Sequence, residues 1–211
     1  MLTAIRKNGV ILAVFACVST GVVAITHYLT QNRIEQQEQQ QLLSILAQVI
    51  PPQTHDNVLS GACTVVDIPY LKKQPILHAY IAKQNNMPTG LAIETIAPDG
   101  YNGAIKLIVG VNNQGMITGT RVLVHHETPG LGDRIDRRIS DWILSFTGQR
   151  VTAENESQWK VRKDGGQFDQ FTGATITPRA VVKAVKKITQ FVDQNREQLY
   201  RQPYNCHGGQ S

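Results

Sequence analysis

Residues 9–29, GVILAVFACVSTGVVAITHYL, carry no charge when His27 is neutral. At about 1.5 Å per residue they span roughly 31 Å as a helix, the thickness of a bilayer's hydrocarbon core. The segment therefore reads as a transmembrane anchor. Arg6 and Lys7 precede it, while Gln31, Asn32, Arg33 and Glu35 follow. That bias puts the N-terminus in the cytoplasm and the rest of the chain outside. Ser19, Thr20 and Gly21 lie mid-span, where small residues let transmembrane helices approach closely. A cleaved signal peptide is the alternative, with Val22-Val23-Ala24 as a loose cleavage site. The run is longer than a usual signal-peptide apolar core, which favours the anchor. Either way the chain after about residue 30 is exported.

Export decides how the rest of the composition is read. The chain has 211 residues, 41% hydrophobic and 18% charged, with 9 Pro. This suits one ordinary folded domain plus an appendage and excludes disordered and collagen-like classes. Its net charge of +5 comes from 21 Lys and Arg against 16 Asp and Glu. In an exported chain this modest excess points to lipid headgroups, acidic proteins or small molecules, with no nucleic-acid partner. Cys17, Cys63 and Cys206 match no zinc, haem or iron–sulfur spacing. Cys63 and Cys206 could join in a periplasmic disulfide, but spacing does not give the pairing, and two unpaired thiols are the default expectation.

Four segments are expected: 1–30 as cytoplasmic residues and anchor, 31–52 as a stalk helix, 53–202 as the exported domain and 203–211 as a flexible tail. In the stalk, Leu42, Ile45, Leu46, Val49 and Ile50 fall on one helical face, and Pro51-Pro52 stops the helix. Its last two turns are expected to dock on the domain. β-rich runs follow at 64–71, 77–82 and 90–96. Residues 104–111 (AIKLIVGV) and 116–124 (MITGTRVLV) flank Asn112-Asn113-Gln114-Gly115, a hairpin with residues that tolerate positive φ. A helix is predicted from Asp133 to about Phe146, with Ile135, Ile139, Trp142 and Ile143 inward. A second helix starts at Thr177-Pro178, with Thr177 as N-cap. Its buried stripe is Val181, Val185, Ile188 and Val192, with Arg179, Lys183, Lys186 and Lys187 outside. The fold class is α+β: one transmembrane helix, then a mainly antiparallel sheet flanked by helices.

Two segments could carry chemistry. The first runs from His125 to Asp133 (HHETPGLGD), where two glycines around Leu131 leave the backbone bare enough to approach a planar ligand or a phosphate. An ordinary strand-to-helix turn explains the same pattern. A metal site does not follow from it: adjacent strand residues face opposite ways, and His125 and Glu127 have no third ligand in sequence reach. The second is DQFTGATITP, residues 169–178. Gly173 and Ala174 make a small open turn that presents the Thr175 hydroxyl just before a helix N-terminus. An anion there would meet free backbone N–H groups, the positive helix end, and nearby Arg179 and Lys183. Helix capping alone also accounts for Thr177-Pro178. No Gly-x-Ser-x-Gly elbow is present, Cys63 and Cys206 lack an activating setting, and no catalytic residue is assigned.

Asp169-x-x-Thr172-Gly173-Ala174-Thr175 resembles the flavinylation motif, in which a flavin transferase joins FMN through its phosphate to the last threonine hydroxyl. With the single N-terminal span, the hairpin and Glu127-Thr128-Pro129-Gly130-Leu131-Gly132, nearly the whole chain resembles the G subunit of the Rnf/Rsx ion-translocating oxidoreductase complex. The related Na⁺-pumping quinone reductase has a similar flavin-bearing subunit. The resemblance implies a single-pass bacterial inner-membrane flavoprotein, periplasmic in its main domain, with covalent FMN on Thr175. Asp169, Thr172, Gly173, Ala174 and Thr177 would surround the attachment, and Glu127, Thr128, Gly130 and Leu131 would line the flavin. The family often has Ser where this chain has Thr172, and the hydroxyl is retained. Implied partners are the other membrane and redox subunits and the transferase. The implied role is electron transfer within the complex, serving ferredoxin–NADH chemistry or the reduction of an iron–sulfur sensor, without turnover of its own.

Covalent attachment makes physical sense outside the cell. A noncovalent cofactor is lost when its free concentration falls below the dissociation constant. The alternative function is a membrane-tethered periplasmic redox-sensing or regulatory module, a class that normally carries an output domain. A plain scaffold, with Thr175 near a cap, is the third reading.

Overall fold

The computed structural model describes residues 2–71 and 76–206. It divides into two compact units, Met1–Leu42 and Leu43–Ser211. Residues 2–42 of the first lie within helix α1, Leu2–Val49. Among the described residues, Arg6–Gln31 is the one stretch long and apolar enough to cross a membrane, with a mean hydropathy of 2.3. Its hydroxyls suit lipid because they bond inside the helix: Ser19 donates to the Ala16 carbonyl at 3.0 Å, and Thr26 to Val22 at 2.8 Å. The helix ends at Val49, ahead of the two prolines, as the stalk pattern predicts.

The second unit is built on five antiparallel strands in simple meander order: β1 Cys63–Val66, β2 Leu77–Gln84, β3 Met87–Ala97, β4 Ile105–Asn112 and β5 Ile117–Val124. β2 and β3 close through Asn85 and Asn86 at φ 52° and 63°, the left-handed pair that a two-residue hairpin needs. In the β4–β5 turn only Gly115 takes positive φ. There the Asn112 side chain accepts the N–H groups of Gln114 and Met116. β1 is shorter than the 64–71 run suggests, because residues Pro69–Leu71 turn into a 3₁₀ segment and proline cannot donate to the ladder.

Helix α2, Ile176–Arg201, covers one face of the sheet. Val181, Val185, Ile188 and Val192 are buried as the periodicity predicts, against Leu91, Ile93, Leu107 and Val109. On the other face, Gly110 and Gly119 pair across β4 and β5 and seat the end of α1. A Cβ at Gly119 would stand 2.8 Å from the Val49 Cα, and one at Gly110 would strike the Val49 carbonyl. Leu46, Val49 and Ile50 are buried there, so the last turns of α1 do pack on the sheet.

Three expectations are corrected. The helix expected from Asp133 to about Phe146 is absent, and two short 3₁₀ turns, Gly132–Ile135 and Trp142–Phe146, stand in its place. Asp136 and Ser140 divert the backbone: the Asp136 carboxylate accepts the Arg138 N–H at 2.9 Å, and the Ser140 hydroxyl accepts the Trp142 N–H at 3.2 Å. Such side-chain bonds compete with the helical ladder. Ile139, expected inward, is exposed, and an aromatic cluster of Trp142, Phe146, Trp159, Phe168 and Phe171 organises the region instead.

The second correction concerns the cysteines. Cys63 and Cys206 are joined in a disulfide across 143 residues, with Cα atoms 5.5 Å apart. The third follows from it. The tail expected to be flexible from 203 is tied to β1 as far as Cys206, since Asn205 donates its N–H to the Cys63 carbonyl and accepts the Val65 N–H. Residues 207–211 of that tail lie outside the described residues.

Candidate functional site

The 169–178 segment folds as a sequence of small turns, each with its own cause. Phe171 is buried in the aromatic cluster and anchors the segment. The Ala174 N–H returns to the Phe171 carbonyl at 3.1 Å, which closes a tight turn with Thr172 and Gly173 exposed at its tip. Gly173 sits at φ 80°, where any Cβ would be strained. The chain then enters α2 at Ile176, with Thr175 in the cap position and its side chain making no capping bond. The helix thus begins one residue before the expected Thr177 start.

Thr177 is not the N-cap. It is buried, and its hydroxyl donates to Glu127 Oε2. Pro178 still falls in the first turn, where its missing N–H costs nothing. Arg179 and Lys183, expected to offer charge to an anion near Thr175, are paired elsewhere: Arg179 with Asp164 at 2.6 Å and Lys183 with Asp99 at 2.6 Å.

The 125–132 loop meets this helix start. Glu127 is buried, its Oε1 accepts the Asn102 N–H at 3.1 Å, and its own N–H points to His125 Nδ1 at 3.3 Å. His125 faces Asp136 at 3.7 Å. The Arg138 hydrogen bond beside Asp136 holds that carboxyl below the usual carboxylate range. Together these segments enclose a cleft of about 230 Å³. Of the residues singled out in the sequence, Glu127, Thr128, Leu131, Gly173, Ala174, Thr175 and Thr177 line it. Asp169 and Thr172 do not: Asp169 is exposed and paired with Arg162 at 3.0 Å, while its carbonyl accepts the Trp142 indole N–H. Gly130 lies outside the lining at positive φ in its turn.

Tyr101, Gly132 and Ile176 complete the lining. Gly132 belongs to the loop already singled out, and a Cβ there would come within 2.6 Å of Glu127 Oε2. Tyr101 carried no signal, because it lies in a turn remote in sequence from both motifs. A wider depression along 193–203, on the C-terminal turns of α2, gathers none of these residues.

Comparison with known proteins bears on the same segments. Residues 1–49 match the model described as RnfG N-terminal region, and residues 100–190 match the model for an FMN-binding domain, which spans every residue of the cleft. The G subunit of the ion-translocating oxidoreductase complex of Vibrio cholerae strain M66-2 is 65% identical over 208 residues, 99% of this chain and 100% of that protein. The chain belongs to the G-subunit family of ion-translocating oxidoreductase complexes. A more distant member, from Aliivibrio fischeri strain ATCC 700601 / ES114, is 52% identical over 98% of this chain and 99% of its own length.

The cleft fits the flavin that this domain class binds. Its walls supply bare backbone around Gly132 and Gly173, apolar surface from Leu131 and Ile176, and a helix start whose first N–H groups have no intrahelical partner. Its volume is below the roughly 300–1,000 Å³ of sites that engulf a ligand.

Proposed function

We propose that this chain is a membrane-anchored flavoprotein subunit of an ion-translocating oxidoreductase whose FMN is held through a phosphoester to Thr175. The observation that carries the reading is the contrast between two hydroxyls on either side of Ile176. Thr177 is buried and committed to Glu127, whereas Thr175 lines the cleft at the helix start with no capping bond. In the attachment, Thr175 Oγ forms a bond to the flavin phosphorus as the bond from phosphorus to the donor's leaving group breaks. The hydroxyl proton departs, and a flavin transferase is the partner that supplies the flavin. The helix start favours the anionic phosphate through its dipole and free N–H groups.

The flavin supplies reversible electron uptake and release. Leu131, Ile176 and Tyr101, which line the cleft, would hold it there within reach of redox partners in the complex. Arg6 and Lys7 ahead of the span favour an N-terminus in the cytoplasm and a periplasmic domain. The Cys63–Cys206 disulfide supports that placement, because such bonds persist in oxidising compartments. The membrane is then the bacterial inner membrane, and the partners are the complex's other membrane and redox subunits.

The test is intact mass and in-gel fluorescence of denatured protein after coexpression with a flavin transferase. Wild type should gain the mass of FMN less water and fluoresce, and Thr175→Ala should do neither. Equal flavin on both would remove Thr175 from the reading.

A further inference from the structure

Glu127 sits where three separated segments meet. Its side chain is buried, with the residue only 5% exposed. Oε1 accepts the N–H of Asn102, and Oε2 accepts the hydroxyl of Thr177. Two glycines make room for it: a Cβ at Gly100 would stand 2.9 Å from Oε1, and one at Gly132 would stand 2.7 Å from Thr177 Oγ1. The carboxylate thus bridges the turn that carries Tyr101, the loop that carries Leu131 and the helix start that carries Thr175. These are the three walls of the cleft.

We propose that Glu127 is a positioning residue, whose two hydrogen bonds hold the three walls in register before any flavin is attached. This rests on the reading of Thr175 as the attachment site. Both carboxylate oxygens already face donors within the protein, so the role needs no contact with the flavin ring. Removing the carboxylate would leave the Asn102 N–H and the Thr177 hydroxyl without their partner, and the walls would move to find others. Glutamine can serve instead. Its carbonyl can accept from Asn102, and its amide can donate to Thr177 Oγ1 once that hydroxyl turns. The negative charge is dispensable and the bridge is not.

The experiment uses full-length protein made without a transferase, as wild type, Glu127→Ala, Glu127→Gln and Thr177→Val. Amide hydrogen exchange is followed first on the unmodified chains. In Glu127→Ala it should quicken around residues 100–103, 128–132 and 175–178 together, while the interior of α2 keeps its protection and reports an intact fold. Thr177→Val should loosen the helix start and leave the Asn102 turn unchanged. Flavin attachment by added transferase is then timed. Glu127→Ala should slow it by about tenfold to a hundredfold, as misplaced reacting groups do, and Glu127→Gln should recover most of the rate.

Exchange that changes only next to residue 127 would overturn the proposal. So would Glu127→Gln attaching flavin as slowly as Glu127→Ala, since the charge rather than the bridge would then matter. Wild type that accepts no flavin would sink the Thr175 reading instead, and the exchange pattern alone would decide the role of Glu127.

Discussion

The two faces of the sheet hold their cover in different ways. Along β4, alternate residues Ile105, Leu107, Val109 and Val111 turn to the core under α2, while Lys106, Ile108 and Gly110 turn the other way. The first face is secured by apolar area spread over many side chains. The second depends on a few local arrangements. One is the glycine seat beneath Val49, and another is a charge cluster in which buried Glu94 binds His78 at 3.0 Å and Lys106 at 2.9 Å. Distributed apolar packing forgives substitutions of similar size, whereas a close approach fails when one side chain is added, and a carboxylate with two partners loses only part of its support when one is removed.

A charge in the apolar face should do the most damage. Val185 is fully buried, and Val185→Asp places a carboxylate there with no partner in the surrounding apolar cluster. A loss of about 3–5 kcal/mol is expected, the cost of an uncompensated buried charge. Thermal unfolding checks it, and a melt close to wild type would mean that the α2 face is far looser than its packing.

On the second face, Gly119→Val should cost about 1–3 kcal/mol by overpacking against Val49. Exchange should also rise in residues 43–50 before it rises in α2. If both helices loosen together, the faces are not independent and the contrast breaks.

The smallest effect belongs to the charge cluster. Burial pushes Glu94 up, but the His78 hydrogen bond and Lys106 outweigh it and hold the carboxyl below its ordinary value of 4.5. Its folded value is therefore lower than its unfolded one, so the cluster stabilises the fold at neutral pH and loses that contribution as pH falls below about 4.5 through the lower folded value. Lys106→Met should cost about 1 kcal/mol at pH 7, and the gap to wild type should narrow at about pH 3. Urea unfolding at the two pH values reads both numbers. A gap that stays constant would show that Lys106 acts through its packing.

Much of this architecture was legible along the chain because it depends on period. The alternation in AIKLIVGV, the spacing of Val181, Val185, Ile188 and Val192, and the long uncharged run each repeat a local geometry, so neighbours in sequence carry the signal. The region from 132 to 146 misled for the same reason. Its apolar residues keep a helical spacing, yet Asp136 and Ser140 capture the backbone and a cluster of distant aromatics sets the path. The cleft was half legible. Glycine-bearing turns drew attention to the Thr175 segment and the Glu127 loop, and the family resemblance gave them their roles, while Tyr101 had no local mark and Thr177 read as a cap.

The sequence by itself determined the long apolar N-terminal helix, the strand alternation and the amphipathic second helix, because apolar patterning is written residue by residue along the chain. Tertiary structure alone decided which hydroxyl stays available, which cysteines meet and which residues close the cleft. Those outcomes depend on where loops far apart in the chain come to rest. Glu127 meets Asn102 and Thr177 across 25 and 50 residues, and Cys63 meets Cys206 across 143, distances over which no local periodicity carries information.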